Sequence, residues 1–272
     1  MTRIVCRQLA PRIGDLPFNR ELSAAAIRDA AGADVIVLPE LVTSGYMFGS
    51  PAEAAAVAVR PDHPLFAEWA AAAGDAVVIG GFCERGDDGL LYNSAAVVDR
   101  GGVRAVYRKT HLWDAEKSIF TPGGRPPPVV RTAAGPIGVL ICYDLEFPEM
   151  TRLLALGGAH LIAAPVNWPL VERPPGERPP ETVIAMAAAR VNRTFIACCD
   201  RAGTERGQEW TLGTAIISPD GRVLAEAGEG ARAAADVDLR TARSKALNSR
   251  NDVLADRRPD LYSPLLERRA PS

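Results

Sequence analysis

A carboxylate, an ammonium and a thiol occupy comparable places along this chain. Glu40 follows the apolar run 35–38 and Pro39, Lys109 follows the run 103–107, and Cys142 follows the run 138–141. Each run reads as a β-strand, so each reactive group stands at the carboxyl end of a strand, where open α/β sheets bind ligands. Together the three suit nucleophilic attack on an acyl carbon. A thiol attacks as thiolate, and a pKa of about 8.5 leaves little thiolate at neutral pH. Glu40 is the base that takes the proton. Lys109 and the backbone N–H of Tyr143 are the donors for the oxyanion of a tetrahedral intermediate. A helix expected from Phe147 or Pro148 adds a dipole that favours an anion near Cys142. Of the 31 basic residues only Lys109, Lys117 and Lys245 are lysines. Arg cannot replace a compact ammonium in tight chemistry, although most lysines are simply solvated.

These groups need a scaffold that brings strand ends together. Strands are expected over 4–9, 35–38, 76–82, 138–141, 161–164, 194–199 and 233–237, and helices over 20–31, 50–59, 64–73, 148–156 and 181–192, from apolar spacing and punctuation by Gly and Pro. Hairpins are expected for 91–98 with 103–107 and for 214–218 with 223–226. Residues 31–39 (AGADVIVLP) echo residues 157–165 (GGAHLIAAP): a helix end, a tight turn, a buried strand and a proline that stops it. Two such half-units predict an α/β fold with two sheets built partly from βαβ steps and covered by helices. Nothing reads as a linker, so a single domain over 1–272 is expected, with 240–272 as a charged C-terminal arm and 169–180 as a stiff Pro-rich loop.

The motifs Leu38-Pro39-Glu40, Tyr107-Arg108-Lys109-Thr110-His111-Leu112 and Leu140-Ile141-Cys142-Tyr143-Asp144 occur in this order, and with them the chain resembles the nitrilase (carbon–nitrogen hydrolase) superfamily from the first strand to Asp260-Leu261-Tyr262. The resemblance implies an α-β-β-α sandwich that stacks into four layers when two chains pair, with the C-terminal arm reaching across the pair. It implies Glu40, Lys109 and Cys142 as base, oxyanion stabiliser and nucleophile, a thioester intermediate, and Glu116 as a further acid that orients the lysine or the substrate amide. His111 lies inside the lysine motif and is expected to be structural. Tyr143-Asp144-Leu145 resembles the amidase and carbamoyl-amidase branches rather than true nitrilases, which implies a small linear primary amide as substrate. An N-carbamoyl amide, a nitrile, and acyl transfer or partner binding without hydrolysis are the alternatives.

Glu146 departs from the commoner basic residue of the family. It reads either as a receptor for a cationic substrate tail or as an acid paired with an internal Arg or with a helix start. Tyr46, Asn167 and Trp168 sit near the same strand ends and are candidates for the substrate pocket, or else for turn and core packing. The 169–180 loop is a candidate roof.

Composition narrows the setting. With 31 basic and 33 acidic residues the formal net charge is −2, so no basic footprint invites nucleic acid. No apolar run approaches the roughly 20 residues that span a bilayer, and the N-terminal residues run straight into a strand pattern. Cys6, Cys83, Cys142, Cys198 and Cys199 have no CxxC spacing and the three histidines are scattered. A disulfide framework, a metal site and a cofactor are therefore not expected, and a reducing cytoplasm is.

Overall fold

The computed structural model describes residues 1–227 and 231–267. Its first sheet is six-stranded, in the order β14-β1-β2-β3-β4-β5. Those strands are β1 (Thr2–Arg7), β2 (Val35–Val37), β3 (Val77–Arg85), β4 (Leu91–Asp99), β5 (Gly102–Arg108) and β14 (Arg232–Val237). The second sheet is also six-stranded, in the order β13-β12-β9-β8-β7-β6. It comprises β6 (Val129–Thr132), β7 (Gly135–Val139), β8 (Leu161–Pro165), β9 (Phe195–Cys199), β12 (Ala215–Ile217) and β13 (Val223–Glu226). A small hairpin of β10 (Thr204–Glu205) and β11 (Gln208–Glu209) stands apart from both. The sequence echo is a structural echo: β2 runs parallel between β1 and β3, and β8 runs parallel between β7 and β9.

Alternation along the strands builds the layers. Ile4, Cys6, Val35, Val37, Val77 and Ile79 join the core shared with the second sheet. Their neighbours Val5, Ile36 and Val78 face the other way, onto Ala26 and Ile27 of α1 (Leu16–Asp29) and Leu65, Phe66 and Trp69 of α3 (Pro64–Ala73). Met150 and Leu154 of α5 (Pro148–Leu156) and Ala185 and Ala189 of α6 (Pro180–Asn192) cover the second sheet. The result is the expected α-β-β-α sandwich. Helix α1 starts earlier than apolar spacing alone predicts, because Asp15 accepts the Phe18 N–H and Pro17 occupies the first turn. Two further α-helices among the described residues are short: α2 (Pro51–Val57) and α4 (Glu116–Ile119). Beyond β14, Leu239 and Ala242 join the core before the chain turns outward. There Lys245 donates from Nζ to the carbonyls of Asn192 (3.1 Å) and Arg193 (2.9 Å), closing the C-terminal end of α6. The tip of the expected arm, 268–272, lies outside the described residues.

Candidate active site

Three strand ends converge as the sequence predicts. Glu40 sits just past β2, Lys109 just past β5 and Cys142 just past β7, and all three are buried. The chain folds tightly behind the first two. A Cβ on Gly81 of β3 would lie 2.3 Å from the Leu41 nitrogen and 2.6 Å from the Glu40 Cα. A Cβ on Gly123 would lie 2.2 Å from the Arg108 carbonyl oxygen, and the Gly123 N–H donates to the Lys109 carbonyl at 2.8 Å. Leu41 and Cys142 adopt φ of 48° and 45°, the left-handed region that residues bearing a Cβ avoid. Such strain persists where surrounding contacts over-determine it. At Cys142 those contacts come from Asp144, which is fully buried. One of its carboxylate oxygens accepts the Ile141 N–H (3.2 Å) and the Tyr107 hydroxyl (2.8 Å), and the other accepts the His111 N–H (3.0 Å) and meets His111 Nδ1 (2.8 Å). His111 is therefore structural, and its ring stacks on Phe147 at 3.6 Å.

The lysine is held between two carboxylates. Lys109 Nζ donates to Glu40 Oε1 and to Glu116 Oε1, each at 2.7 Å. Asn93 Nδ2 donates to the same Glu40 oxygen at 2.7 Å, while Glu40 Oε2 is buried without a partner. Tyr46 donates its hydroxyl to Glu116 Oε1 at 2.5 Å, and the Trp113 N–H donates to Glu116 Oε2 at 3.2 Å. Burial lifts the Glu40 carboxyl to about 7; Lys109 draws it down and Glu116 pushes it up. Burial alone would lower the Lys109 ammonium, but Glu116 and Glu40 outweigh it and hold the charge above the usual lysine range. Burial also raises the Cys142 thiol well above its ordinary value; Glu40 adds to this and Lys109 opposes it. The free site thus holds a thiol, not the thiolate that a helix dipole would favour. The turn Cys142–Glu146 is 3-10, and α5 begins only at Pro148.

The other sequence candidates divide. Tyr46 lines a cavity of about 100 Å³ together with Phe48, Trp113, Glu116, Phe120 and Trp210. Asn167 is inside the site but committed to it. Its Nδ2 donates to the Glu40 carbonyl (3.0 Å), its own carbonyl faces Cys142 Sγ (3.8 Å), and only Oδ1 is unpartnered. Trp168 is not a wall of that cavity; it is 4% exposed and packed where a Gly213 Cβ would be 2.7 Å away. The Tyr143 ring is half-buried against Trp113 and Phe147.

Glu146 is exposed and does not line the cavity. It has no ion-pair partner among the described residues, so the internal Arg is absent there. Partial burial and nearby Glu181 lift its carboxyl. The 169–180 loop reaches the cavity only through Pro169. Sequence reasoning missed Asn93, buried beside Ser94 in a mostly apolar strand, and it missed Trp210, Arg201 and Glu205. Among the described residues no group of three His, Cys, Asp or Glu could hold a metal ion.

Residues 3–246 match the family described as carbon-nitrogen hydrolase. The chain is 37% identical to an (R)-stereoselective amidase from a Pseudomonas species, over 92% of this chain and 89% of that one. It is 34% identical to a nitrilase from Pyrococcus abyssi, over 96% and 99%. Among solved structures it resembles the amidase from Nesterenkonia sp. AN1, with a TM-score of 0.81 and 28% identity, covering 97% of this chain and 100% of that one. That structure, of a glutamate-to-glutamine mutant, shows acrylamide added to the active-site cysteine, and a cysteine-to-alanine mutant of the same amidase has been solved in complex with butyramide.

Proposed function

The chain belongs to the carbon–nitrogen hydrolase family, and from that premise we propose that it hydrolyses a small linear primary amide to a carboxylate and ammonia through a thioester on Cys142. The observation that carries this reading is the Lys109 ammonium clamped by Glu40 and Glu116 beside a buried thiol. Glu40, with one oxygen unpartnered and a pKa of about 7, takes the Cys142 proton as sulfur attacks the carbonyl carbon. Lys109 and the Tyr143 N–H hold the oxyanion. Glu40 returns the proton to the leaving ammonia, then deprotonates the water that cleaves the thioester. Glu116 keeps Lys109 in place.

The aromatic-walled cavity beside Glu116 supports a short acyl chain of low polarity, as does butyramide in the Nesterenkonia amidase. A cationic tail would have to reach Glu146 outside that cavity. Five unpaired cysteines, one of them the nucleophile, support work in a reducing cytoplasm, and no helix among the described residues is long and apolar enough to cross a membrane.

The test is ammonia release from neutral, anionic and cationic amides, carbamoyl amides and nitriles, with Cys142→Ala as control. Short neutral amides should be turned over, and Cys142→Ala should be folded and silent. Carbon dioxide released with ammonia would move the protein to carbamoyl substrates. Turnover by Cys142→Ala would sink the mechanism.

A further inference from the structure

The proposed chemistry leaves one buried ion pair unused. Arg201 and Glu205 meet at 3.0 Å with side chains 1% and 3% exposed. Arg201 Nε and Nη1 are buried without a partner, so the pair is costly as a source of stability. Its geometry is directed elsewhere. Glu205 Oε1 accepts two successive backbone N–H groups, those of Tyr46 (2.8 Å) and Met47 (2.7 Å). The segment is seated directly on the carboxylate: a Cβ on Gly45, at φ 78°, would lie 2.7 Å from Glu205 Oε2. Arg201 ties the pair to the Pro11 carbonyl at 3.0 Å and lies over the Trp210 ring, 4.6 Å from its centroid. Trp210 in turn meets the Tyr46 ring edge-on at 5.7 Å. Tyr46 is thus gripped at backbone and ring, and its hydroxyl reaches the same Glu116 oxygen that accepts from Lys109.

We infer that Arg201 and Glu205 are positioning residues for amide hydrolysis: they fix Tyr46, whose hydroxyl holds Glu116, which holds the Lys109 ammonium. The inference rests on the roles proposed above for Lys109 and Glu116. Arg201 and Glu205 follow β9 of the second sheet, and Tyr46 follows β2 of the first, so the grip also spans the two halves of the sandwich. Burial and the neighbouring acids keep the Tyr46 phenol neutral, hence always a donor.

The experiment is a double-mutant cycle on kcat with Glu205→Gln and Tyr46→Phe, alongside thermal melts. Tyr46 and Lys109 share one Glu116 oxygen, so loosening Tyr46 misplaces the ammonium that meets the oxyanion, and each single variant should lose roughly tenfold or more in kcat. Because Glu205 acts through Tyr46, the double variant should lose no more than the worse single. Losses that multiply, or an unchanged kcat in either single, would overturn the inference.

Should Glu205→Gln misfold around the uncompensated guanidinium, Arg201→Met with Glu205→Gln removes both charges. That pair should fold, lose kcat to a similar degree and likewise be masked by Tyr46→Phe; wild-type kcat there would also overturn it. Cys142→Ala in the same assay reports on the nucleophile alone, so failure of the mechanism and failure of the grip give different results.

Discussion

Glu40 must lose a proton to be a base, yet it is fully buried beside a second acid. Its pKa of about 7 follows from burial first, with Lys109 pulling against it. In the free enzyme kcat/KM should therefore fall as pH drops through about 7. The Asn93 amide favours the charged form, so Asn93→Ala should move this acid limb to higher pH, measured as the midpoint of the pH–rate profile. An unmoved midpoint would remove Glu40 as the titrating group. The same shift acts on stability. Folded Glu40 binds its proton more tightly than an unfolded carboxyl near 4.5, so its contribution is fully present below that pH and is lost as pH rises through about 7. Glu40→Gln removes that loss and leaves Lys109 balanced by Glu116. It should melt higher than the parent at pH 8, with a smaller gain at pH 5. Equal gains at both pH values would contradict this.

At the scale of elements, the strand ends place the chemistry and glycines let them close. Gly81→Ala puts a methyl into the Glu40–Leu41 backbone, an overpacking that typically costs about 1–3 kcal/mol and here displaces the base. Its kcat/KM should fall well before its fold is lost, as circular dichroism beside kinetics will show; parental kinetics would mean that β3 yields. The convergence of Glu40, Lys109 and Cys142 was legible in the sequence because short apolar runs end at each residue. Two helix-covered sheets were legible in the echo of 31–39 with 157–165, and their stacking as an α-β-β-α sandwich came from the family resemblance. Contacts that pin the site were not. Asp144 joins residues 33 and 37 positions away, and Glu205 grips Tyr46 across 159 positions, so no local pattern announces either. The hairpin β10–β11 has strands of two residues, too short for a period to show. Glu146 shows how far nearness in sequence reaches: it lies four residues past Cys142 at the end of the 3-10 turn, yet it is exposed and outside the aromatic cavity.

For the whole molecule, the resemblance implies pairing of two chains, and we propose that they meet through the outer helices. Helix α5 exposes Leu153 and Leu156, each at 47%, and α6 exposes Val183 at 50% and Val191 at 48%. These two helices pack against each other, and exposed apolar side chains on both are what a partner chain would cover. Leu156→Asp with Val191→Asp should halve the mass measured by light scattering without lowering secondary structure; an unchanged mass would place the contact elsewhere. The order of the first sheet also sets a schedule for the cell. Strand β1 lies between β2 and β14, and Thr2 is paired with Val237. A ribosome adding about 5–20 residues per second needs on the order of ten seconds or more to deliver that partner after the first strand has emerged. Through that interval the nascent chain carries an open strand edge, the kind that templates aggregation. Holding chaperones therefore have their clearest work on this protein during synthesis, and fragments that stop short of β14 are expected to collect in the insoluble fraction.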